Sequence, residues 1–443
     1  VVLLGDFNDY APSNESMMKR DGDYFWITIS GLEEGVEYGY QYLVDGTIKI
    51  GDPYATKILD PWNDKWIDAS VYPNLKAYPA EYTSDIVSVF ELNPAEYTWT
   101  ATSYERPAEN SLAIYELLIR DFSEEGSIDA VTAKLDYLET LGVNAIELMP
   151  IQEFDGNDSW GYNPCFFFAA DKAYGTEEAY KRFIDEWGFD GLKLDGQHLN
   201  CCLPDHNHHS HLEYPEEAVE KLPEFFQGIF DRAREIKPYS VVQICPCGCA
   251  MNFFLTPHMN QAVASDPTSS AQIRMKRKVY GAMCPDMAYY ADHIELSDNE
   301  NDYGTQIGIG GVIGSKFTWP KPNPNVKGDG YLLTPEKEAA LKKWVGIYND
   351  KMLSTGEYLN LYDIRFDVPE THVVAKDGAL YYAFYAETWD GGQIELRGLE
   401  AGKTYTVTEY ASDDLKTYTI EGSNPYITPS FERDYLIEVK PAE

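Results

Sequence analysis

Short alternating or apolar runs, separated by turn-forming pairs, fill the first part of the chain. Such runs are typical of β-strands, and Asp-Gly or Glu-Gly pairs between them are typical of tight turns. Strands this short at this spacing indicate a β-sandwich. We therefore predict a β-sandwich domain over residues 1–105. The runs are Val1–Leu4, Tyr24–Ile29 and Tyr38–Val44, and the turns lie at 21–22, 34–35 and 45–46.

The hydrophobic pattern changes after a polar linker that contains Pro107. An apolar run, LAIYELLI, is followed by Ser127–Leu141 with helical spacing and then by a second run, VNAIELMPI. A strand, a helix and a strand in this order form a βαβ unit on a parallel sheet. Further runs of strand length follow at 189–195, 240–246, 261–266, 292–298 and 309–317, with a helical stretch at Ala218–Ile236.

These repeats predict an α/β fold, a (β/α)-barrel over residues 106–355. We count seven strands where eight are expected, so the barrel is predicted to be incomplete. From residue 356 to 443 the pattern alternates again around Asp-Gly and Asp-Asp turns, which predicts a second, C-terminal β-sandwich.

The charge and the aromatic content of the chain limit the classes of partner that we expect. The formal net charge is −38, which repels nucleic-acid phosphates and anionic lipid headgroups, so we expect neither nucleic acid nor membrane as a partner. Neutral sugars are unaffected by this charge, and the 34 Tyr and 9 Trp offer flat rings on which pyranoses can pack. Most of these aromatics are expected to fill the cores. The oligomeric state stays open.

The cysteines and the termini leave the compartment undecided. Seven Cys, an odd number, are crowded rather than spaced as a disulfide framework. No run of 18 apolar residues and no signal peptide is visible. Because the chain opens inside a strand-like run, we expect secretion or a periplasmic location if a leader precedes it, and the cytoplasm otherwise.

Two strand-end aspartates are the candidate catalytic groups. In a β/α-barrel, catalytic side chains lie at the carboxyl ends of strands, a rule that selects Asp195, Asp266 and Asp298. Cleavage of a glycoside needs a nucleophile or base and a proton donor. Lys193 lies two residues before Asp195, on the same side of the strand, and is expected to keep it ionised. The plainer alternative is that such an Asp caps the following helix.

Residues 189–320 resemble the α-galactosidases of glycoside hydrolase family 36. The resemblance rests on Lys193-Leu194-Asp195, Cys245-Pro246-Cys247-Gly248, Ser265-Asp266 and Arg274-Met275-Lys276, in the order of that family's motifs. It implies that Asp195 is the nucleophile and Asp266 the acid/base. It also implies that Lys193, Cys247 and Arg274 bind substrate, and that the substrate is a terminal α-galactoside.

The front of the chain resembles a different group, the α-amylase family, glycoside hydrolase family 13. Residues 1–70, with Gly5-Asp6-Phe7-Asn8 and Gly51-Asp52-Pro53-Tyr54-Ala55, resemble its starch-binding-type N-terminal module. Residues 111–176 continue the likeness through IYELLIRDF, LGVNAIELMPI and Trp160-Gly161-Tyr162-Asn163-Pro164. The resemblance implies that Trp160 and Tyr162 line the sugar site.

The two resemblances do not agree beyond residue 176. The D-x-x-x-N-H motif of the amylase family is absent before Asp195, and the galactosidase family's early Asp pair is absent from the front strands. We therefore predict a chimera-like chain joined near Thr176. The barrel should be open between the strand ending at Ile151 and the strand at 189–195, with apolar surface exposed at Phe166, Phe167 and Phe168.

No metal and no cofactor is predicted. His206, His208, His209 and His211 lie near Cys201 and Cys202, and Cys245, Cys247 and Cys249 alternate, but neither spacing fits a closed zinc motif. Asp155, Asn157 and Asp158 lack the rest of a calcium loop.

The sequence thus favours a retaining glycoside hydrolase acting on α-linked sugars, with an α-galactosidase as the first choice. An α-amylase-type α-glucan hydrolase is the alternative among enzymes. A glycan-binding protein with an incomplete, inactive barrel is the alternative among non-enzymes.

Overall fold

A β-sheet domain opens the chain. The computed structural model describes residues 1–101, 105–197, 214–247, 250–292, 302–317 and 332–442. Strands β4 and β5 are joined by a turn in which Asp45 and Gly46 both have positive φ, as a tight hairpin requires. The strands are β1 Val2–Gly5, β2 Lys19–Asp21, β3 Tyr24–Trp26, β4 Glu37–Val44, β5 Ile48–Ile50, β6 Lys57–Leu59 and β7 Val87–Glu91.

These strands form an antiparallel sheet in the order β1-β4-β7-β6, with β5 added to β4 and with β2–β3 as a separate hairpin. Leu4, Leu59, Val87 and Val89 pack together as its buried core. All three strand-like runs of the sequence are confirmed to within a few residues.

A row of parallel strands forms the barrel. Strand β8 pairs with β9 on one side and with β16 on the other. A bridge from Tyr290 to Val312 joins β15 to β16, and β14 pairs with β15. β13 lies beside β14, with Asn260 N donating to Val242 O, and pairs β12. The strands are β8 Ala113–Leu117, β9 Ala145–Leu148, β10 Gln152–Phe154, β11 Pro164–Ala170, β12 Gly191–Leu194, β13 Val241–Ile244, β14 Gln261–Val263, β15 Ala288–Tyr290 and β16 Ile313–Ser315.

The row therefore runs β9-β8-β16-β15-β14-β13-β12 and contains seven parallel strands within the described residues, while β10 and β11 form an antiparallel hairpin. The fold is a (β/α)-barrel flanked by β-sandwich domains, as predicted. The strand predicted at 292–298 lies outside the described residues apart from Asp292, whereas β15 was not predicted from the sequence. Tyr289 and Tyr290 are fully buried there, and Asp292 follows the strand end.

The barrel is open between β9 and β12. Within the described ranges these two outer strands are not paired with each other. A cavity of about 460 Å³ lies there, lined by apolar side chains that include Ile146 and Phe189. Leu192 of β12 is 48% exposed. The predicted opening is thus confirmed for the described residues. Phe167 and Phe168 are exposed as expected, but Phe166 is half-buried, because its ring lies close to the Gly51 backbone of the first domain.

Helices pack around this row. The single helix expected at Ser127–Leu141 is two helices, because the chain makes a tight turn at Ala133 and Lys134. The helix expected at Ala218–Ile236 is also divided, and Pro223 lies in the first turn of its second part, where proline is tolerated. The helices are α1 Ile119–Phe122, α2 Ile128–Thr132, α3 Leu135–Thr140, α4 Glu177–Trp187, α5 Glu217–Glu220, α6 Leu222–Ile236, α7 Ser270–Met283, α8 Tyr303–Gly308 and α9 Pro335–Lys351.

A second antiparallel sheet closes the chain. It has six strands in the order β17-β18-β19-β24-β21-β22, and β20 pairs β23 separately. Val373, Tyr382, Phe384 and Ile437 are among its fully buried residues. None of the described helices is long and apolar enough to cross a membrane. The strands are β17 Glu357–Leu359, β18 Glu370–Lys376, β19 Ala379–Asp390, β20 Ile394–Glu395, β21 Thr404–Glu409, β22 Thr417–Glu421, β23 Tyr426–Ile427 and β24 Ser430–Pro441.

Candidate active site

Three neighbouring barrel strands bring the candidate catalytic groups together. Asp195 follows β12, Cys247 follows β13 and Asp266 follows β14, all at the carboxyl ends of the strands. The backbone turns sharply at each point: Cys247, Ser265 and Asp266 have φ of 61°, 64° and 44°. Left-handed backbone at residues other than glycine is costly and tends to occur at functional sites.

The two carboxylates share one thiol. Cys247 Sγ lies 2.8 Å from Asp266 Oδ2 and 3.7 Å from Asp195 Oδ1, and the thiol can donate to either. A carboxylate oxygen of Asp195 lies within 4.8 Å of one of Asp266. The structure thus places both sequence-predicted carboxylates, together with Cys247, in one cluster.

Asp292 supports this cluster and was missed from the sequence. Its side chain is fully buried, and Oδ2 accepts a hydrogen bond of 2.8 Å from Asp266 N. Its other oxygen lies 3.5 Å from Lys193 Nζ. The strand-end rule selects Asp292 once a strand is assigned to Ala288–Tyr290, which the sequence pattern did not predict.

Lys193 has different partners from those expected. Its Nζ lies 2.7 Å from Glu147 on β9, across the barrel opening, and 3.5 Å from Asp292. Within the described ranges it forms no ion pair with Asp195, so the expectation that it directly neutralises Asp195 is wrong. The reason is local: Asp195 lies beyond the strand end, where Gly196 has a φ of 66° and the chain turns towards Cys247.

Buried charges surround Lys193. Burial raises the pKa of Glu147 to about 7, although the Lys193 ammonium opposes this shift. Glu116 on β8 is also buried and lies 3.5 Å from Lys316 Nζ. The interior of the barrel mouth is therefore a network of acidic groups with two lysines.

The two aromatic residues predicted to line the site face this network. Tyr162 is 45% exposed and lines the cavity; partial burial of its hydroxyl, with the Glu116 and Asp195 carboxylates, raises the pKa of that hydroxyl. Trp160 is 47% exposed, and Lys316 Nζ lies 4.6 Å from the centre of its ring. One half-exposed indole beside the acidic network is suited to stacking on a sugar.

Arg274 lies in another network. Its Nε and Nη2 donate to Glu370 at 2.8 and 3.2 Å, and Nη1 donates to Thr305 at 3.0 Å. His372 Nε2 is 2.9 Å from the same Glu370 carboxylate. Arg274 therefore joins α7 to the C-terminal sheet, and the structure does not bring it to Asp195 and Asp266 through any of these contacts.

Several residues that the sequence analysis considered as metal ligands lie outside the described residues: Cys201, Cys202, Cys249 and the His206–His211 cluster. The strand-end candidate Asp298 lies outside them as well. In the Asp155–Asp158 loop, the carbonyl oxygen of Asn157 accepts from Arg120 at 3.3 Å, as does that of Ser159 at 2.7 Å. The Arg120 guanidinium thus binds two carbonyl oxygens of this loop.

Residues 93–219 match the family model described as the α-amylase catalytic domain. The chain is 32% identical over 294 residues to "A type blood alpha-D-galactosamine galactosaminidase" of Flavonifractor plautii, covering 63% of this chain and 25% of that protein. It is 38% identical over 104 residues to malto-oligosyltrehalose trehalohydrolase of Arthrobacter ramosus, covering 24% of this chain and 18% of that one. The chain thus spans about a quarter or less of the length of these relatives.

Among solved structures, the chain resembles a putative α-amylase from Salmonella typhimurium, with a TM-score of 0.54 and 15% identity over 96% of this chain and 94% of that one. At this identity the likeness shows the fold alone. The comparisons give no evidence that two chains were joined near Thr176, and the splice stays a prediction. Together, the family match and the barrel show that residues 93–219 of this chain are similar to the α-amylase catalytic domain.

Proposed function

We propose that this protein is a retaining glycosidase that acts on α-linked sugars, with an α-glucan as its substrate. The observation that carries the proposal is the Asp195–Asp266 pair, whose oxygens approach within 4.8 Å at the carboxyl ends of β12 and β14. Carboxyl groups about 5–5.5 Å apart are typical of retaining enzymes, whereas inverting enzymes hold them about 6.5–9.5 Å apart to admit water.

Asp195 attacks the anomeric carbon and forms a glycosyl-enzyme, while Asp266 protonates the leaving oxygen. Water then enters, Asp266 removes its proton, and the glycosyl–Asp195 bond breaks. Asp292 holds the backbone of Asp266 in place through the 2.8 Å hydrogen bond. Cys247 contacts both carboxylates and lies where the sugar binds, while Trp160 and Tyr162 offer ring faces to it.

We assign to Lys193 the role of orienting the site through its ion pairs with Glu147 and Asp292, instead of neutralising Asp195 directly. Arg274 is assigned to support of α7, because Glu370 and Thr305 occupy its donors.

The α-glucan preference is supported by the match of residues 93–219 to the α-amylase catalytic domain and by the trehalohydrolase relative. A second candidate substrate, a terminal α-galactoside or α-galactosaminide, is favoured by the Flavonifractor plautii relative, whose match covers more of this chain. The domains proposed for this function are the sandwich at 1–105, the barrel at 106–355 and the second sandwich at 356–443.

The test compares the wild type with Asp266→Ala on aryl glycosides. Maltosides and galactosides are tested with a good and with a poor leaving group. Loss of the proton donor should slow the poor leaving group by about 10²–10⁴-fold and affect the good one much less. The sugar that is cleaved decides between the two substrates. Equal losses for both leaving groups would contradict the role of Asp266, and no cleavage of any α-glycoside would favour the glycan-binding alternative.

A further inference from the structure

Four side chains that could ligate a metal converge at the candidate site. Asp195, Cys245, Cys247 and Asp266 each bring one sulfur or carboxylate oxygen within 4.8 Å of the others. The shortest separation is 2.8 Å, between Cys247 Sγ and Asp266 Oδ2. Around a tetrahedral zinc ion with bonds of about 2.0–2.3 Å, ligand atoms are roughly 3.3–3.8 Å apart. The separation of 2.8 Å lies below this range and the bound of 4.8 Å lies above it, so each pair of ligand atoms would have to shift by about 1 Å or less to reach it.

The donor set favours a particular class of ion. Two sulfurs and two carboxylates form a mixed soft and hard site with four ligands. Magnesium and calcium prefer oxygen ligands alone and higher coordination numbers, whereas thiolates select zinc and similar thiophilic ions. The combination therefore points to zinc rather than to the alkaline-earth ions.

The surrounding charges also favour a cation. Asp292 and Glu116 are buried and Glu147 is half-buried; Lys193 is paired with Glu147 and Asp292, and Lys316 with Glu116. The two carboxylates of the cluster add further negative charge. A dication would be attracted to these carboxylates, and two thiolates formed on binding would be stabilised by the ion.

The backbone fixes the ligands before an ion arrives. Cys245 N donates to Leu194 O at 2.8 Å, and Gln197 N donates to Cys245 O at 2.9 Å, so the ends of β12 and β13 are tied together. Asp292 fixes Asp266 from the other side. Such outer contacts orient metal ligands and commonly contribute about 10–100-fold to metal affinity.

We propose that Asp195, Cys245, Cys247 and Asp266 form a zinc site, and that the zinc-bound form cannot hydrolyse glycosides. Binding releases one proton from each thiol to solvent and involves no change of oxidation state. The metal blocks hydrolysis because both carboxylates become ligands. The inference concerns the same cluster as the proposed function, but metal binding itself does not require that function.

The first experiment uses Co²⁺ as an optical substitute for zinc, titrated into the full chain after removal of metals with a chelator. We expect one equivalent of Co²⁺ to produce a sulfur-to-cobalt charge-transfer band and tetrahedral visible absorption, both removed by Zn²⁺ and not by Mg²⁺. Cys247→Ser and Cys245→Ser should each weaken the affinity for Co²⁺ by more than about tenfold. Loss of a group that only orients a metal ligand already has an effect of about that size. Cys284→Ser, which changes a partly buried thiol outside the cluster, should behave as the wild type.

A wild type without the sulfur band, or either cluster variant with unchanged affinity, overturns the proposal. Circular dichroism of each variant establishes that it is folded. For a variant that does not fold, Asp266→Asn serves in its place, because the loss of a carboxylate ligand should weaken Co²⁺ binding while both thiols remain.

The second experiment separates this proposal from the proposed function. If the metal-free enzyme cleaves an α-glycoside, equimolar Zn²⁺ should abolish the activity and a chelator should restore it. Full activity with zinc bound at the optical site overturns the inhibitory role. If no α-glycoside is cleaved, the proposed function fails, while the Co²⁺ titration still decides whether the metal site exists.

Discussion

The residues of the candidate active site are far apart in the sequence and are brought together by the fold. Asp195 and Asp266 meet because each follows a barrel strand, and the strand-end rule suffices to predict their proximity. Cys247 follows from the same rule and contacts both.

Asp195→Asn should remove turnover of an aryl α-glycoside while sugar binding stays near that of the wild type, because only the attacking oxygen is lost. The rate should fall by at least about 10³-fold, as expected for loss of a covalent nucleophile. Steady-state kinetics and isothermal titration with the sugar measure the two effects. Asp286→Asn, an exposed change just before β15 at the opposite end of the barrel, is the matched control. Unchanged activity in Asp195→Asn would assign the chemistry to another carboxylate.

The pH dependence of stability should report on Glu370. Although burial would raise its pKa, hydrogen bonds from His372 and Arg274 lower it to about 2. A carboxyl group whose pKa is depressed on folding stabilises the fold above its unfolded pKa of about 4.3, and this stability is lost as the pH falls towards 2. The contribution is on the order of 2–3 kcal/mol.

Glu370→Gln should therefore lower the free energy of unfolding at pH 7 and flatten its decline between about pH 4.5 and 2. Urea unfolding at several pH values measures both effects. Glu357→Gln, an exposed change on β17, serves as the control. If the free energy of unfolding fell equally with pH in Glu370→Gln and in the wild type, the Glu370 carboxylate would not be stabilised by His372 and Arg274.

At the scale of elements, periodicity identified most strands and helices but not their ends. The buried positions of Ser127–Leu141 were predicted, yet the turn at Ala133 was not, because Ala and Lys are both good helix formers. The strand at Ala288–Tyr290 was not predicted, because one alanine and two tyrosines have no alternating pattern. Without that strand, the strand-end rule did not select Asp292. The Lys193–Glu147 pair could not be predicted either, since it joins strands on the two sides of the opening.

The opening between β9 and β12 predicts where the chain is cleaved first. Barrel strands normally pack at close to crystal density, whereas Gly191 and Leu192 of β12 are exposed. Limited proteolysis should cut first within residues 155–188, since cleavage follows local opening. The sandwich at 1–105 should persist as a fragment, identified by mass spectrometry. If that window resists protease while other segments are cut, the junction is as well packed as the rest of the barrel.

At the scale of the whole molecule, the sequence predicted a barrel between two β domains, and the structure confirms this fold class. The charge of −38 and the acidic barrel mouth are compatible with neutral sugars and with cations. Sequence resemblance could not decide between an α-glucan and an α-galactoside, because substrate choice depends on contacts around the sugar rather than on the fold.

The central claim is retaining hydrolysis by Asp195 and Asp266, and the anomer of the first product tests it most directly. Proton NMR during cleavage of an α-maltoside by the metal-free protein, repeated with an α-galactoside, should show the α-anomer first, with the β-anomer arising only by slow mutarotation. Asp195→Asn should give neither. Release of the β-anomer first, or release by Asp195→Asn at the rate of the wild type, would contradict the mechanism.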